Sequence, residues 1–257
     1  MESYREFAVK LATRTGKELL SHFKKDRKLL GLRGTVKGIV TKYDINSNRE
    51  IIKAISNNYP SYNIWTEESG FFNRHSEYTW IVDPLDGTVN FAAGNPLFCV
   101  ILSLLKKNEP VLGVTYAPAI NELFVAEKDQ GALLNRKRIS VSSSRKLKES
   151  YVYSCEGGER NRIRTGKINN MIYLKVRDLR KLGSAGIECA WVACGKGDAF
   201  VTVKIEPWDI SAGVLLIKEA GGKATDFKGK PVKAERSDLV FSNGKIHESM
   251  VNLVRGV

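Results

Sequence analysis

The sequence predicts a layered α+β protein in which sheets alternate with helices and the functional site lies between two halves. Three observations carry that expectation. The first half, 1–141, mixes amphipathic helical patterns with a run of consecutive strand patterns. The second half, 142–257, alternates strand and helix more regularly, as an α/β unit does. Acidic residues gather where apolar strands end, in a chain otherwise rich in Lys and Arg. With 257 residues, 42% of them hydrophobic and 27% charged, the chain has material for a substantial core and the composition of a globular protein.

Over residues 3–23, Phe7, Leu11, Leu19, Leu20 and Phe23 fall largely on one helical face and predict a first long helix. Residues 30–38, with Gly31, Gly34 and Gly38 among basic neighbours, read as a mobile loop or hairpin. Ile39-Val40-Thr41 is a short extended piece ending at Asp44, which suits an N-cap. A second helix then carries Ile45, Ile51, Ile52, Ile55 and Tyr59, and Pro60 ends it. Residues 62–65 form a strand that delivers Glu67 and Glu68 to its end. Segments 97–105, 111–116 and 122–126 read as successive strands with turns at 108–110 and 118–121, and 131–141 adds further extended structure.

The polar, Lys/Ser-rich stretch 142–150 is the best boundary between the halves. Beyond it come a strand at 151–154, a helix near 166–174 and extended structure over 176–182. Ser184 can cap a helix through Ile187, Ala190, Trp191 and Cys194. A strand at 198–205, a helix at 209–220 stopped by Gly221-Gly222, a strand at 239–242 and a final helix at 246–254 complete the chain.

The N-terminus is charged from its first residues, unlike the apolar core of a signal peptide, and the 97–105 run is too short to span a bilayer. A cytoplasmic enzyme with no membrane partner is the expectation. Cys99, Cys155, Cys189 and Cys194 form no CxxC pair and read as reduced thiols. His22, His75 and His247 lie far apart and do not read as ligands. The formal charge of +13 comes from dispersed short clusters without interleaved aromatic residues. That pattern does not favour nucleic acid, and suits a field that draws in phosphorylated metabolites.

The chemistry concentrates in residues 79–91. Trp80, Ile81 and Val82 end a buried strand, Asp83 follows where the strand leaves the core, and Pro84 is expected to stop it. Asp86 comes within one turn. Gly87 and Thr88 then offer backbone N–H groups and a hydroxyl where a short helix can start, a place that suits an anion. Two carboxylates beside an anion-accepting turn supply the hard oxygen ligands of a Mg²⁺-assisted phosphoryl site. Asp209, in Pro207-Trp208-Asp209, and the Glu67-Glu68 pair likewise follow apolar extended segments. As ordinary structure, Asp44 and Asp209 would cap helices, Thr88 would cap the short helix, and Trp208 reads as packing.

These segments together resemble the inositol monophosphatase family of magnesium-dependent, lithium-sensitive phosphomonoesterases. The matching stretches are 59–70, the residues 80–91, and 207–222, in order and spacing, so the resemblance covers essentially the whole chain. It implies a layered αβαβα sandwich, the sugar phosphatase fold, and a mechanism using two to three Mg²⁺ ions. By resemblance, Glu67, Asp83 and the Leu85 carbonyl hold one metal, Asp83, Asp86 and Asp209 a second, and a weaker third lies by Glu67. Asp44 and Thr88 match the pair that orients and deprotonates the attacking water, and Asp86, Gly87 and Thr88 frame the phosphate. Gly183, Ser184, Ala185 and Asp209 match the substrate pocket. The position where inositol-specific members carry a polyol-binding Glu falls at Thr202, with Lys204 nearby, and Gly38 stands where many relatives have Asp. The implied substrate is inositol 1-phosphate first, fructose 1,6-bisphosphate second, and 3′-phosphoadenosine 5′-phosphate or histidinol phosphate third. A homodimer is also implied. The rival from another class is a non-catalytic protein that binds anions or nucleic acid through its basic surface.

Overall fold

The computed structural model describes residues 2–25, 42–232, 235 and 237–257. The expected loop at 30–38, the extended piece at 39–41 and Gly38 lie outside them. Two sheets organise the chain. Strands β1 (Asn63–Thr66), β2 (Gly70–Phe72), β3 (Tyr78–Asp86), β4 (Cys99–Lys106), β5 (Glu109–Ala117), β6 (Glu122–Glu127), β7 (Gly131–Leu134) and β8 (Lys137–Arg138) build the first, in the order β2-β1-β3-β4-β5-β6-β7-β8. All its pairs are antiparallel except β1 with β3. Strands β9 (Tyr151–Glu156), β10 (Asp178–Arg180), β11 (Ala199–Ile205), β12 (Lys223–Asp226) and β13 (Ser237–Ser242) build the second, in the order β10-β9-β11-β13-β12.

Helices α1 (Tyr4–Lys25) and α2 (Lys42–Asn58) cover the outer face of the first sheet. Their apolar stripes, Phe7, Leu11 and Leu19 with Ile51 and Ile55, meet Trp80, Val82, Val100, Leu102 and Leu104 in one core. Helices α5 (Ala185–Ala193) and α6 (Pro207–Glu219) lie between the sheets, touching β4 and β5 on one side and β11 and β13 on the other. Helices α4 (Arg162–Tyr173) and α7 (His247–Val254) close the far side of the second sheet, packing Ile168, Ile172, Met250, Val251 and Val254 against Val152, Val201, Val203 and Val240. The layers therefore run helix, sheet, helix, sheet, helix. The central strands are apolar without alternation because both of their faces are covered. Among the described residues no helix is long and apolar enough to cross a membrane.

Several boundaries differ from expectation for identifiable reasons. Pro84 does not stop β3. The strand runs on to Asp86, and the pairing steps from Asp83 opposite Ile101 to Asp86 opposite Cys99, so that β3 carries one extra residue in a bulge. A bulge is one of the few places in a sheet where a missing N–H is tolerated. Asp44 and Asp209 are not N-caps: α2 already includes Lys42, and α6 starts at Pro207 with Glu206 as its cap. The turn expected at 108–110 falls at Lys107 and Asn108, both with positive φ, and Glu109 already belongs to β5. Past Arg138, residues 139–146 carry no strand.

His247 is 2% exposed at the start of α7, with one ring nitrogen 2.9 Å from Thr225 Oγ1 and the other 2.8 Å from Ser242 Oγ. Burial, aided by the charge of Lys223, lowers its pKa to about 4. The unfolded chain takes up this proton near pH 6.5 and the folded chain does not, so the neutral ring's contribution is complete above pH 6.5 and is lost as pH falls towards 4. The loss is up to about 3 kcal/mol. Denaturant titrations at pH 7, 5.5 and 4.5 are expected to show a smaller decline in the His247→Gln protein than in the wild type.

Candidate active site

The parallel pairing of β1 with β3 sets Thr66 beside Val82, and the Glu67 amide donates to the Val82 carbonyl at 3.3 Å. Glu67 and Asp83 thus leave neighbouring strand ends together. Beyond the bulge Asp86 faces α5, and α6 brings Asp209 on its third residue. One carboxylate oxygen from each of Asp83, Asp86 and Asp209 lies within 4.8 Å of the others. Asp83 and Asp86 are 1% and 7% exposed.

Backbone and neutral donors hold these carboxylates. The Leu85 amide donates to Asp83 Oδ1 at 2.9 Å. Asp86 Oδ2 accepts from the Ser184 hydroxyl at 2.5 Å, the Gly186 amide at 2.8 Å and the Cys99 thiol at 3.3 Å, while Oδ1 accepts from the Ala185 amide at 3.3 Å. The Glu206 amide donates to Asp209 Oδ2 at 3.3 Å, half of a reciprocal capping box.

Burial, then the charges of Glu67, Asp86 and Asp209, push the Asp83 carboxyl well above the carboxylate range. Burial, then the charges of Asp86 and Glu67, do the same to Asp209. Asp86 is raised by burial, against which its hydrogen bonds to Ser184, Gly186 and Cys99 work. Glu67 stands at the rim with part of its surface in solvent, but its carboxyl turns inward within hydrogen-bonding reach of Asp83. Burial of that carboxyl and the charges of Glu68, Asp86 and Asp44 push it to about 7. Among the described residues, no lysine or arginine is a leading influence on these four groups. A tight set of hard, desolvated oxygens with no leading counter-charge among the described residues fits a divalent cation.

Asp44, in the first turn of α2 and 1% exposed, lies against this cluster. The Thr88 hydroxyl sits 3.0 Å from Asp44 Oδ1 and 3.0 Å from the Leu85 carbonyl, so its single proton has two acceptors in reach. Gly87 has φ 87°, and a side chain there would also approach the Leu97 carbonyl to 2.8 Å, so glycine is required to turn β3 into α3 (Thr88–Ala92).

The structure thus gathers Asp44, Glu67, Asp83, Leu85, Asp86, Gly87, Thr88 and Asp209 in one place, with Ser184 and Ala185 against Asp86. Ser184 does occupy the N-cap position of α5, but its hydroxyl makes no capping bond and goes to Asp86 instead. Gly183 precedes it with φ 80°. Thr202 stands apart: it is wholly buried in β11 with its hydroxyl 3.3 Å from Cys155 Sγ, so it offers nothing to a ligand arriving from solvent. Lys204 is exposed, its amide donating to Asp238 Oδ1 at 3.0 Å. Trp208 packs edge-on against Trp65 at 5.9 Å between ring centres. Sequence reasoning missed the donors Cys99 and Gly186. Cys99 looked like one more apolar position of its strand, whereas Gly186, directly after 183–185, could have been found from that segment.

A buried acidic cluster between two sheets, beside a helix start, defines a class: layered α+β proteins with a site able to hold a metal ion. The family model described as "Inositol monophosphatase family" matches residues 1–257, and the chain belongs to that family. It is accordingly an enzyme that hydrolyses phosphate monoesters. It is 40% identical over 253 residues to a fructose-1,6-bisphosphatase/inositol-1-monophosphatase of Thermotoga maritima, covering 98% of this chain and 96% of that protein. It is 36% identical to a Nus factor SuhB of Xylella fastidiosa over 96% of this chain and 92% of the relative. The solved structure of a Thermotoga maritima IMPase superposes with a TM-score of 0.86 at 38% identity, covering 96% of this chain and 95% of that one.

Glu67 supplies a test of the cluster's electrostatics in the absence of metal. Its folded pKa of about 7 lies above its ordinary 4.5, so its contribution is fully present below pH 4.5 and is lost as pH rises through 7. Glu67→Gln, which cannot ionise, is therefore expected to gain in melting temperature relative to wild type as pH rises from 4.5 to 7.5 in EDTA. A constant difference between the two proteins would show that the carboxyl is not under this strain.

Proposed function

We propose that this enzyme is a Mg²⁺-dependent phosphomonoesterase of small phosphorylated polyols and sugars, with inositol 1-phosphate its foremost substrate and fructose 1,6-bisphosphate the second. The observation that carries the reading is the convergence of Asp83, Asp86 and Asp209, with no lysine or arginine of the described residues among the leading influences on them. Glu67, Asp83 and the Leu85 carbonyl would hold one Mg²⁺ and Asp83, Asp86 and Asp209 another, with a third, weaker ion by Glu67. Bound there, the ions supply a water of lowered pKa and offset charge on the phosphoryl and leaving oxygens. Thr88 and Asp44 would take the proton of the attacking water, the hydroxyl passing its own proton to the carboxylate 3.0 Å away. Gly87 and Thr88 would hold the phosphate through their N–H groups, and Gly183, Ser184, Ala185 and Asp209 would face the alcohol portion. As water's oxygen bonds to phosphorus the ester P–O bond breaks, and the departing alkoxide is protonated from solvent.

Thr202 weakens strict selectivity for inositol, since a buried threonine replaces the carboxylate that would accept polyol hydroxyls. That substitution favours fructose 1,6-bisphosphate as an alternative or dual substrate, with nucleotide-derived phosphates and histidinol phosphate behind it. A division at 142–150 into an N-terminal half bearing most ligands and a C-terminal half completing the site, a cytoplasmic location, lithium sensitivity and a homodimer all belong to the same reading. The second reading, a non-catalytic protein that binds nucleic acid or another anion, has only the +13 charge behind it, and the acidic cluster and the family membership count against it.

A substrate panel with Mg²⁺, with and without Li⁺, is expected to show hydrolysis of inositol 1-phosphate and fructose 1,6-bisphosphate, suppressed by Li⁺. Asp83→Asn is expected to lower kcat/KM on the order of a thousandfold with an unchanged circular dichroism spectrum. Retained activity in that variant refutes the ligand assignment. Absence of turnover in the wild type, with RNA binding that falls steeply in salt, favours the second reading.

A further inference from the structure

Glu188 sits on the first turns of α5, entirely buried. Its Oε1 accepts the Leu182 amide at 2.7 Å, and the Gly183 amide is directed at the same carboxyl. Its Oε2 has no hydrogen-bond partner among the described residues. A carboxylate buried with one oxygen unsatisfied is costly, and an apolar side chain of similar volume would fill the space at less expense. What the carboxyl adds is an acceptor for the turn at 182–183.

That turn is held from the other side as well. Asn90 Nδ2 donates to the Leu182 carbonyl at 2.8 Å and to the Leu97 carbonyl at 2.7 Å. The peptide groups of Leu182 are thus clamped between Glu188 and Asn90. The residues that follow, Ser184, Ala185 and Gly186, donate three of the four hydrogen bonds that Asp86 accepts. A helix start ordinarily spends its cap hydroxyl and first amides on itself or on solvent. Here the cap hydroxyl is given to Asp86, and Glu188 reaches back to secure the turn in its place.

We propose that Glu188 is a positioning residue for the cation site: it fixes the turn at 182–183 so that Ser184, Ala185 and Gly186 converge on Asp86. The inference rests on the reading above in which Asp86 holds a cation. Its structural half, the clamp on the turn, can be tested without any cation.

Glu188→Met removes the acceptor at similar volume, and Glu188→Gln keeps an oxygen that can accept the Leu182 amide. In the full chain, Mg²⁺ affinity by calorimetry without substrate is expected to fall about tenfold or more in the Met variant and to stay within about threefold of wild type in the Gln variant. Amide exchange over residues 182–186, measured without metal, is expected to quicken about tenfold in the Met variant. Its kcat falls with substrate KM little changed. Wild-type Mg²⁺ affinity and exchange in the Met variant, or equal impairment of the Met and Gln variants, overturns the proposal. Should the Met variant not fold, exchange in the metal-free wild type decides: protected amides at Leu182 and Gly183 support the clamp, and exchange at the rate of exposed loops overturns it. Failure of the wild type to bind Mg²⁺ at all would instead sink the cation reading.

Discussion

The constraint on which the rest of this structure depends is the crowding of ionisable oxygens in a place with little water. Asp83, Asp86 and Asp209 repel one another and are desolvated together. A fold can relieve such a cluster by placing Lys or Arg beside it, which would also remove its affinity for a metal. The described residues of this chain, basic as it is, supply no Lys or Arg among the leading influences on the site. The chain uses amides, a hydroxyl and a thiol instead. Such donors orient the carboxylates and soften their repulsion while leaving the net charge for a cation to meet.

The elements that deliver the site share an electrostatic logic. Asp44 lies in the first turn of α2 and Asp209 in the first turn of α6, while Asp86 accepts the first amides of α5. Three helix N-termini therefore point their partial positive charge at one acidic centre, at an effective strength of about half a charge each. The parallel β1–β3 pair adds Glu67 by register. Helices α5 and α6 lie between the sheets and bring Ser184 and Asp209 to the carboxylates of β3.

Much of this was legible in the sequence. Apolar runs followed by Asp or Glu marked the strand ends, and the helices and most strands were visible in their spacing. What the sequence did not disclose is what depends on distant partners. Ser184 has the chemistry of a helix cap, and only the arrival of Asp86 from 98 positions earlier redirects its hydroxyl. Cys99 resembles any buried thiol until the strand pairing sets it opposite Asp86. Thr202 aligns with a pocket position by count, yet burial removes it from the surface. Asp44 and Asp209 look like caps because a helix's first turn and its cap favour the same residue types.

The extra residue of β3 has a consequence for which changes of length the chain could survive. Residues three apart in a regular strand point to opposite faces, which would send one of Asp83 and Asp86 toward the aromatic core under α1 and α2. With the added residue they sit opposite Ile101 and Cys99, two apart on β4 and hence on a common face. Removing Leu85 would restore a flawless ladder and keep the two carboxylates on one face as alternate residues, but it would also take away the amide that Asp83 accepts and the carbonyl that the Thr88 hydroxyl reaches. The added residue is thus kept for the groups it brings to the centre, and changes of length here alter those groups where surface loops elsewhere could absorb them.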